Sequence, residues 1–463
     1  MDLEQEITHR ISNARRLDRN RGSKQAPSRL TAAPMTNTVD WIVFALPTVI
    51  AIRTVSTPVS LVLLSFLLLA AFVRNSRIRY SVRSGPLVAL FGSAVLVYSR
   101  PDSAGTLIAL ILVAMLVFRL TSTVDAKIII ASLVDGCGLY LVANVLCFIA
   151  GMQSPAMNVR IGSLVEATGF VRVIFPLTWS INIPPMIACL YIAAFVFMIR
   201  EDGRLRRILR LACFACAVFI LASASARVAI GTAALLLILG VLVPVSLRWM
   251  AQVSALLATI SAYLLPVAVS SIQFLIAPLI SLAPGRISES QSITSLEGRD
   301  YIWERSISFW REWVSDFPHI LFGYGVNGQY HSGASFSFSE RLSTMVRNPE
   351  LQFMHNSMLQ QLFDGGIIGA VLLSVTLYWT AVRLAGRRQS WGNIGSAAIL
   401  ATTALILSGM TEVSLAPGPA YDSFYILMVL VGVACQGGRM DHNAHQSSGM
   451  KRLRVATPHV RNG

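Results

Sequence analysis

His355 and Asn356 stand side by side in HNSMLQQLFDGGIIG, residues 355–369, just ahead of a long apolar segment. A histidine titrating near neutrality can accept a proton or hold a phosphate, and a neighbouring carboxamide can orient what it acts on. Four arginines form a second set: Arg160, Arg172, Arg227 and Arg299. Each guanidinium is a planar fork suited to phosphate oxygens, and arginines fixed in place can stabilise a polyanionic leaving group. Each has a plainer reading. The arginines could pair with carboxylates such as Glu289, Glu297 or Asp300, and the histidine could be a packed residue on a helix face. Arg227, in SASARVAIG, has few acidic neighbours in sequence and asks for a role beyond pairing.

The elements that position these residues follow from composition. The 463 residues are 54% hydrophobic and only 13% charged, with a mean hydropathy of +0.62. Soluble domains carry about 25% charged residues. Apolar runs fall at 41–53, 57–73, 86–99, 106–118, 128–152, 183–199, 211–226, 228–246, 251–281, 366–382, 394–410 and 424–436. A straight span needs about 20 residues, so the shorter runs must borrow flanking residues or let arginines snorkel. The chain therefore reads as an all-α polytopic membrane protein of about 12 transmembrane helices, with ten or eleven as alternatives. Placing both termini in the cytoplasm puts 27 of the 38 Lys and Arg residues inside and 11 outside, which satisfies the positive-inside rule at every cytoplasmic turn. The net charge of +15 is then an orientation signal and argues against a nucleic-acid partner. The predicted organisation is a basic cytoplasmic tail over 1–40, helices one to nine over 41–281, an outer (periplasmic) loop over 282–365, helices ten to twelve over 366–436, and a basic cytoplasmic tail over 437–463. The tails read as disordered and no cleavable signal peptide is visible. The six cysteines all lie in apolar runs and read as packing residues.

The outer loop carries the chemistry. In EGRDYIWERSISFWREWVSDFPHILFGYG, the residues Trp303, Ile307, Trp310 and Trp313 or Val314 recur at helical spacing, and Pro318 is expected to end the helix. Such an amphipathic stripe suits the headgroup level of a membrane or a lid over a site. Aromatic faces also suit sugars, which makes Trp303 and Tyr324 candidates for binding an acceptor. Further on, NPELQFMHNSMLQQLFDGGIIGAVLL reads as a helix running into the membrane. Leu351, His355, Leu359 and Leu362 would share one face, with a break at Asp364, Gly365 and Gly366. Gly366 and Gly369 would allow a close helix approach.

The order of these motifs resembles a known superfamily. His355-Asn356, nine residues, then Gly366-Ile367-Ile368-Gly369 is similar to the H-N-x9-G-x-x-G signature of O-antigen ligases and related polysaccharide polymerases. GRDYIW…FPHILFGYG resembles the stretch that precedes it in that superfamily, and SASAR (223–227) resembles its Ser-Arg element at the outer end of a span. The resemblance implies a metal-independent, inverting membrane glycosyltransferase of the bacterial inner membrane, without a cofactor. It would take a glycan from undecaprenyl pyrophosphate and join it to another lipid-linked repeat or to lipid A core, alongside other polysaccharide-export proteins. By the same resemblance, His355, Asn356 and Arg299 would be catalytic, and Arg172, Arg227 and Arg160 would bind the pyrophosphate donor. One departure stands out: in the family Gly and Pro-Asn closely follow the first-loop arginine, whereas VIFPLTWSIN follows Arg172. The long loop, and the lack of any segment that names a lipid A surface, tilt the choice towards a polymerase.

The alternative is a multi-span transporter or flippase. Transporters usually place ionisable residues mid-span in two related halves. Asp135 in ASLVDGCG is the one clear mid-span acid, without a matching half, and also reads as a packing or helix-bonding residue. A non-catalytic assembly scaffold is a third reading, which leaves the outer arginines unexplained.

Overall fold

A computed structural model of the protein describes residues 39–74, 77–98, 104–154, 173–199, 203–224, 226–281, 299–342, 348–419 and 421–439. Each of the twelve apolar runs is a helix. In chain order the first eight are α1 (Trp41–Val55), α2 (Thr57–Arg74), α3 (Gly85–Val97), α4 (Ala104–Thr123), α5 (Ala126–Ile149), α6 (Ile183–Met198), α7 (Arg204–Ser223) and α8 (Arg227–Leu242). The long α9 (Leu247–Ser281) precedes four short helices: α10 (Arg299–Trp313), α11 (Phe317–Phe322), α12 (Gly328–His331) and α13 (Phe336–Leu342). α14 (Ser357–Trp391), α15 (Asn393–Gly409) and α16 (Asp422–Cys435) complete the set. By length and composition α2, α4, α5 and α14 can each cross a membrane, and six shorter apolar helices accompany them among the described residues. This is a helical membrane protein, as the composition requires: in hydrocarbon a backbone must satisfy its own hydrogen bonds.

Burial sorts the helices into layers. Nearly every residue of α6, α15 and α16 is buried, so these helices, apolar all round, form the centre of the bundle. α15 packs against α6, α9 and α14, α1 against α5, and α3 against α14. α2, α7 and α9 turn exposed apolar side chains outward, among them Phe66, Leu205 and Leu256. Helix starts are fixed by capping acids: Asp40 accepts from the Ile42 and Val43 amides, and Asp125 from the Lys127 amide.

Several features differ from the sequence expectation. The fold is not wholly helical: β1 (Tyr80–Val82) pairs antiparallel with β2 (Gln436–Arg439). The Gln436 side chain anchors this ribbon, donating to the Thr121 and Val124 carbonyls and accepting from the Ala126 amide. Pro318 does not end a helix but lies in the first turn of α11, where a missing N–H costs nothing. Leu351 and His355 are not on the helix of Leu359 and Leu362. Pro349–Leu351 is a 3-10 turn and α14 begins only at Ser357, because Asn356 is its extended N-cap. Asp135 on α5, by contrast, is the helix-bonding residue that one sequence reading gave. It pairs with Arg206 Nη2 at 2.6 Å and Arg210 Nε at 2.7 Å, both on α7. Arg210 also donates to the Met198 carbonyl, so the acid ties α5, α6 and α7 together. The predicted disorder of the two tails concerns segments that, apart from 39–40 and 437–439, lie outside the described residues.

Candidate functional site

Asn356 organises the region. Its Oδ1 accepts from the Met358 and Leu359 amides, and its Nδ2 donates to Ser261 Oγ at 2.7 Å and the Met410 carbonyl at 2.8 Å. A carboxamide has two donors and one acceptor oxygen, and all are used within the fold. Ser357 Oγ donates to the Glu412 carbonyl and accepts from the Leu415 amide. Residues 355–357 thus clamp the 410–415 link between α15 and α16. Entering this clamp, His355 adopts φ +48°, a left-handed conformation uncommon outside glycine. Such backbone strain persists where surrounding structure over-determines it, often at functional sites.

The third contact of the clamp is the centre of the site. His355 Nδ1 lies 3.2 Å from Glu412 Oε2. Arg299, first residue of α10, donates from Nη2 to Glu412 Oε1 at 2.5 Å, and Asn182 Nδ2 donates to the same oxygen at 2.7 Å. Glu412 therefore joins four chain segments that are far apart in sequence. Burial of its carboxyl would raise the pKa, but Arg299 and His355 outweigh this together with Asn182 and hold it down to about 2. An ionised carboxylate only accepts hydrogen bonds, so the ring proton of the His355–Glu412 bond sits on Nδ1. In a neutral imidazole that leaves Nε2 as the basic atom. The His355 side chain is 34% exposed, whereas Arg299 and Glu412 are each 11% exposed. The arrangement can orient a base and hold a buried cation beside it.

A backbone seam supports this centre. The Tyr324 amide donates to the Phe363 carbonyl at 2.8 Å, and the Gly325 amide to the Asp364 carbonyl at 2.9 Å. Asp364 Oδ1 accepts from the Gly328 amide and from Gln360. The chains touch so closely that a Cβ on Gly366 would lie 2.3 Å from the Leu321 carbonyl carbon. Gly366 has φ +65° and kinks α14 there. The close approach that its spacing suggested is thus made, with the backbone of α11 as the partner.

The other expected site residues have varied placements. Trp303 is buried, donates from Nε1 to the Met354 carbonyl, and packs with Phe338, Leu359 and Phe363. In this structure its ring is committed to the fold one residue short of His355, with no face open to a sugar. Tyr324 is half-buried and stacks on His319 with ring centroids 4.2 Å apart. Its phenol is shifted up by partial burial and by Asp316. Arg227 opens α8, and its side chain, like Arg160 and Arg172 entirely, lies outside the described residues. Glu412 was missed in the sequence, and so was the partner of Arg299. The available signal was that MTEVSLAPGPAYD contains two of the few acids, Glu412 and Asp422, in an apolar C-terminal third.

A protein family described as O-antigen ligase matches residues 209–374. The match includes Arg299, His355, Asn356 and the glycine seam, and stops short of Glu412. The resemblance to the O-antigen ligase and polysaccharide polymerase superfamily, read first from short motifs, thus holds over the segment that carries them. It supports a membrane protein with an O-antigen ligase- or polymerase-like function. No curated protein matches the chain.

Proposed function

We propose that the protein is an inverting membrane glycosyltransferase that moves a glycan from undecaprenyl pyrophosphate to an acceptor hydroxyl, at the outer face of the bacterial inner membrane. The observation that carries this reading is the contact of His355 and Arg299 with one buried carboxylate, Glu412. The acceptor oxygen attacks the anomeric carbon while the bond from that carbon to the pyrophosphate oxygen breaks. The hydroxyl proton passes to His355 Nε2, and Glu412 steadies the imidazolium that forms. The pyrophosphate leaves as an anion, and arginine N–H groups stabilise the charge developing on it. One hydrogen bond to Glu412 uses one of the five guanidinium donors of Arg299; the others suit phosphate oxygens. Arg160, Arg172 and Arg227 are assigned to the same anion. Asn356 and Trp303 act as positioning residues, and Tyr324 borders the acceptor side. The mechanism uses no metal and no cofactor.

In this reading all twelve helices cross the membrane with both termini cytoplasmic. The start of α14 and the 410–421 link then lie at the outer end, and the Asp135 triad lies towards the inner one. The acid that suggested a transporter is occupied by Arg206 and Arg210, which favours the enzyme. Mass spectrometry of undecaprenyl-linked glycans in cells whose only copy carries His355→Ala tests the proposal. Accumulated single repeats identify a polymerase, and long polymer stranded on the lipid identifies a ligase. Normal glycan products would overturn the reading.

A further inference from the structure

A cleft of about 190 Å³ is lined in part by Arg53, Thr178, Trp179, Phe353, Tyr421 and Asp422. Three of its walls come from chain segments that also supply the Glu412 centre. Trp179 precedes Asn182 by three residues, Phe353 precedes His355 by two, and Asp422 opens α16 directly after the 410–421 link. Ser423 Oγ donates to the Ser414 carbonyl and ties the far wall back to the link. The aromatic surfaces are set rather than loose: Phe353 and Tyr421 meet edge to face with centroids 6.3 Å apart. Trp179 is 46% exposed. At the polar end, the Arg53 guanidinium lies over the Tyr425 ring, 5.5 Å from its centroid, and reaches Thr106 Oγ1 at 3.4 Å. Asp422 is 6% exposed.

We infer that this cleft is the subsite for the terminal sugar of the acceptor glycan, an inference that rests on the glycosyltransferase reading. Pockets for drug-sized ligands run to about 300–1,000 Å³, so this one suits a single sugar ring. Aromatic walls match the apolar faces of a sugar, while a carboxylate and a guanidinium together accept from and donate to neighbouring hydroxyls. Trp179 and Asp422 thus take the acceptor-binding role for which the sequence had suggested Trp303.

The test uses the full-length protein in lipid nanodiscs, with lipid-linked glycan extracted from the same cells as donor. Two phosphate-free probes serve as acceptors in separate arms: the repeat-unit oligosaccharide released from its lipid by mild acid, and the core oligosaccharide released from lipopolysaccharide. The wild-type protein should saturate with one of them, and that arm names the source of the acceptor. Trp179→Ala and Asp422→Asn should each raise the half-saturating concentration of that probe about tenfold, since a lost aromatic face or a weakened hydrogen bond to the carboxyl is worth about this much. The dependence on donor concentration should not change. Trp179→Phe, which keeps an aromatic wall, should fall between, and thermal melting in nanodiscs separates misfolding from lost binding. Variants that stay within twofold of wild type in the saturating arm, or that shift the donor dependence instead, overturn the subsite. Saturation by neither probe despite transfer between donor lipids overturns it too. Absence of any transfer by the wild-type protein overturns the glycosyltransferase reading itself.

Discussion

Glu412→Gln keeps the size and one carbonyl oxygen of the side chain but removes its charge from between Arg299 and His355. The carboxyl is held from 4.5 down to about 2. At 1.36 kcal/mol per unit, that depression represents about 3 kcal/mol of preference for the ionised form in the folded protein. Breaking a buried ion pair from one side independently gives about 3–5 kcal/mol, and the two figures agree. Stability should therefore fall by about 3 kcal/mol at neutral pH. The sign of the pH dependence follows from a depressed acid: its contribution is present above pH 4.5 and is lost as pH falls through about 2. Glu412→Gln should accordingly flatten the acid limb of the stability profile. On the proposed mechanism, transfer should fall by up to about 10⁴-fold, the cost of losing the carboxylate that holds a catalytic histidine in its working tautomer. Thermal unfolding in nanodiscs at stepped pH reads the first effect and glycan transfer per folded molecule reads the second. A double-mutant cycle with Arg299→Ala should show strong non-additivity. Costs that simply add, with an unchanged acid limb, would refute the assignment of Glu412 as the shared partner.

Four further outcomes can be checked. Asp135→Ala leaves Arg206 and Arg210 facing a lost partner at low exposure and should cost about 3–5 kcal/mol, with transfer per folded molecule unchanged; a comparable loss of transfer per folded molecule would show that the triad does more than join helices. His355→Gly and His355→Ala both remove the imidazole, so their difference isolates the backbone strain at φ +48°. Glycine should be the more stable of the two by about 1 kcal/mol in thermal unfolding, and equal stability would mean that the left-handed turn is not held. Gly366→Ala, at φ +65° with the Leu321 backbone 2.3 Å from the new Cβ, should cost about 3 kcal/mol or more. Gly386→Ala, on the same helix with open space around it, should gain up to about 1 kcal/mol in the same assay.

The sequence by itself determined the apolar helices and the position of the motifs between them. Charge-poor runs near the length of a span leave a backbone no alternative to helix, so each of the twelve runs appears where hydropathy places it. The His-Asn pair, the glycines and Arg299 were legible as residue types with unusual placements. The contacts were decided by tertiary structure. Arg299 and Glu412 are separated by 113 residues and His355 and Glu412 by 57, and periodicity says nothing about which loops meet. The start of α14 at Ser357 depended on the Asn356 cap, a competition between local hydrogen bonds that a face-matching pattern reads as continuous helix. Trp303 looked like a binding surface because its spacing matched an exposed stripe, yet packing against Phe338 and Phe363 took it into the core. The partners of Asp135 were not legible, because the arginines that neutralise it lie on another helix. Local sequence fixes which residues are helical or polar. Only the folded chain decides which polar residues share one low-dielectric space, and there a single carboxylate can hold a histidine and an arginine in place.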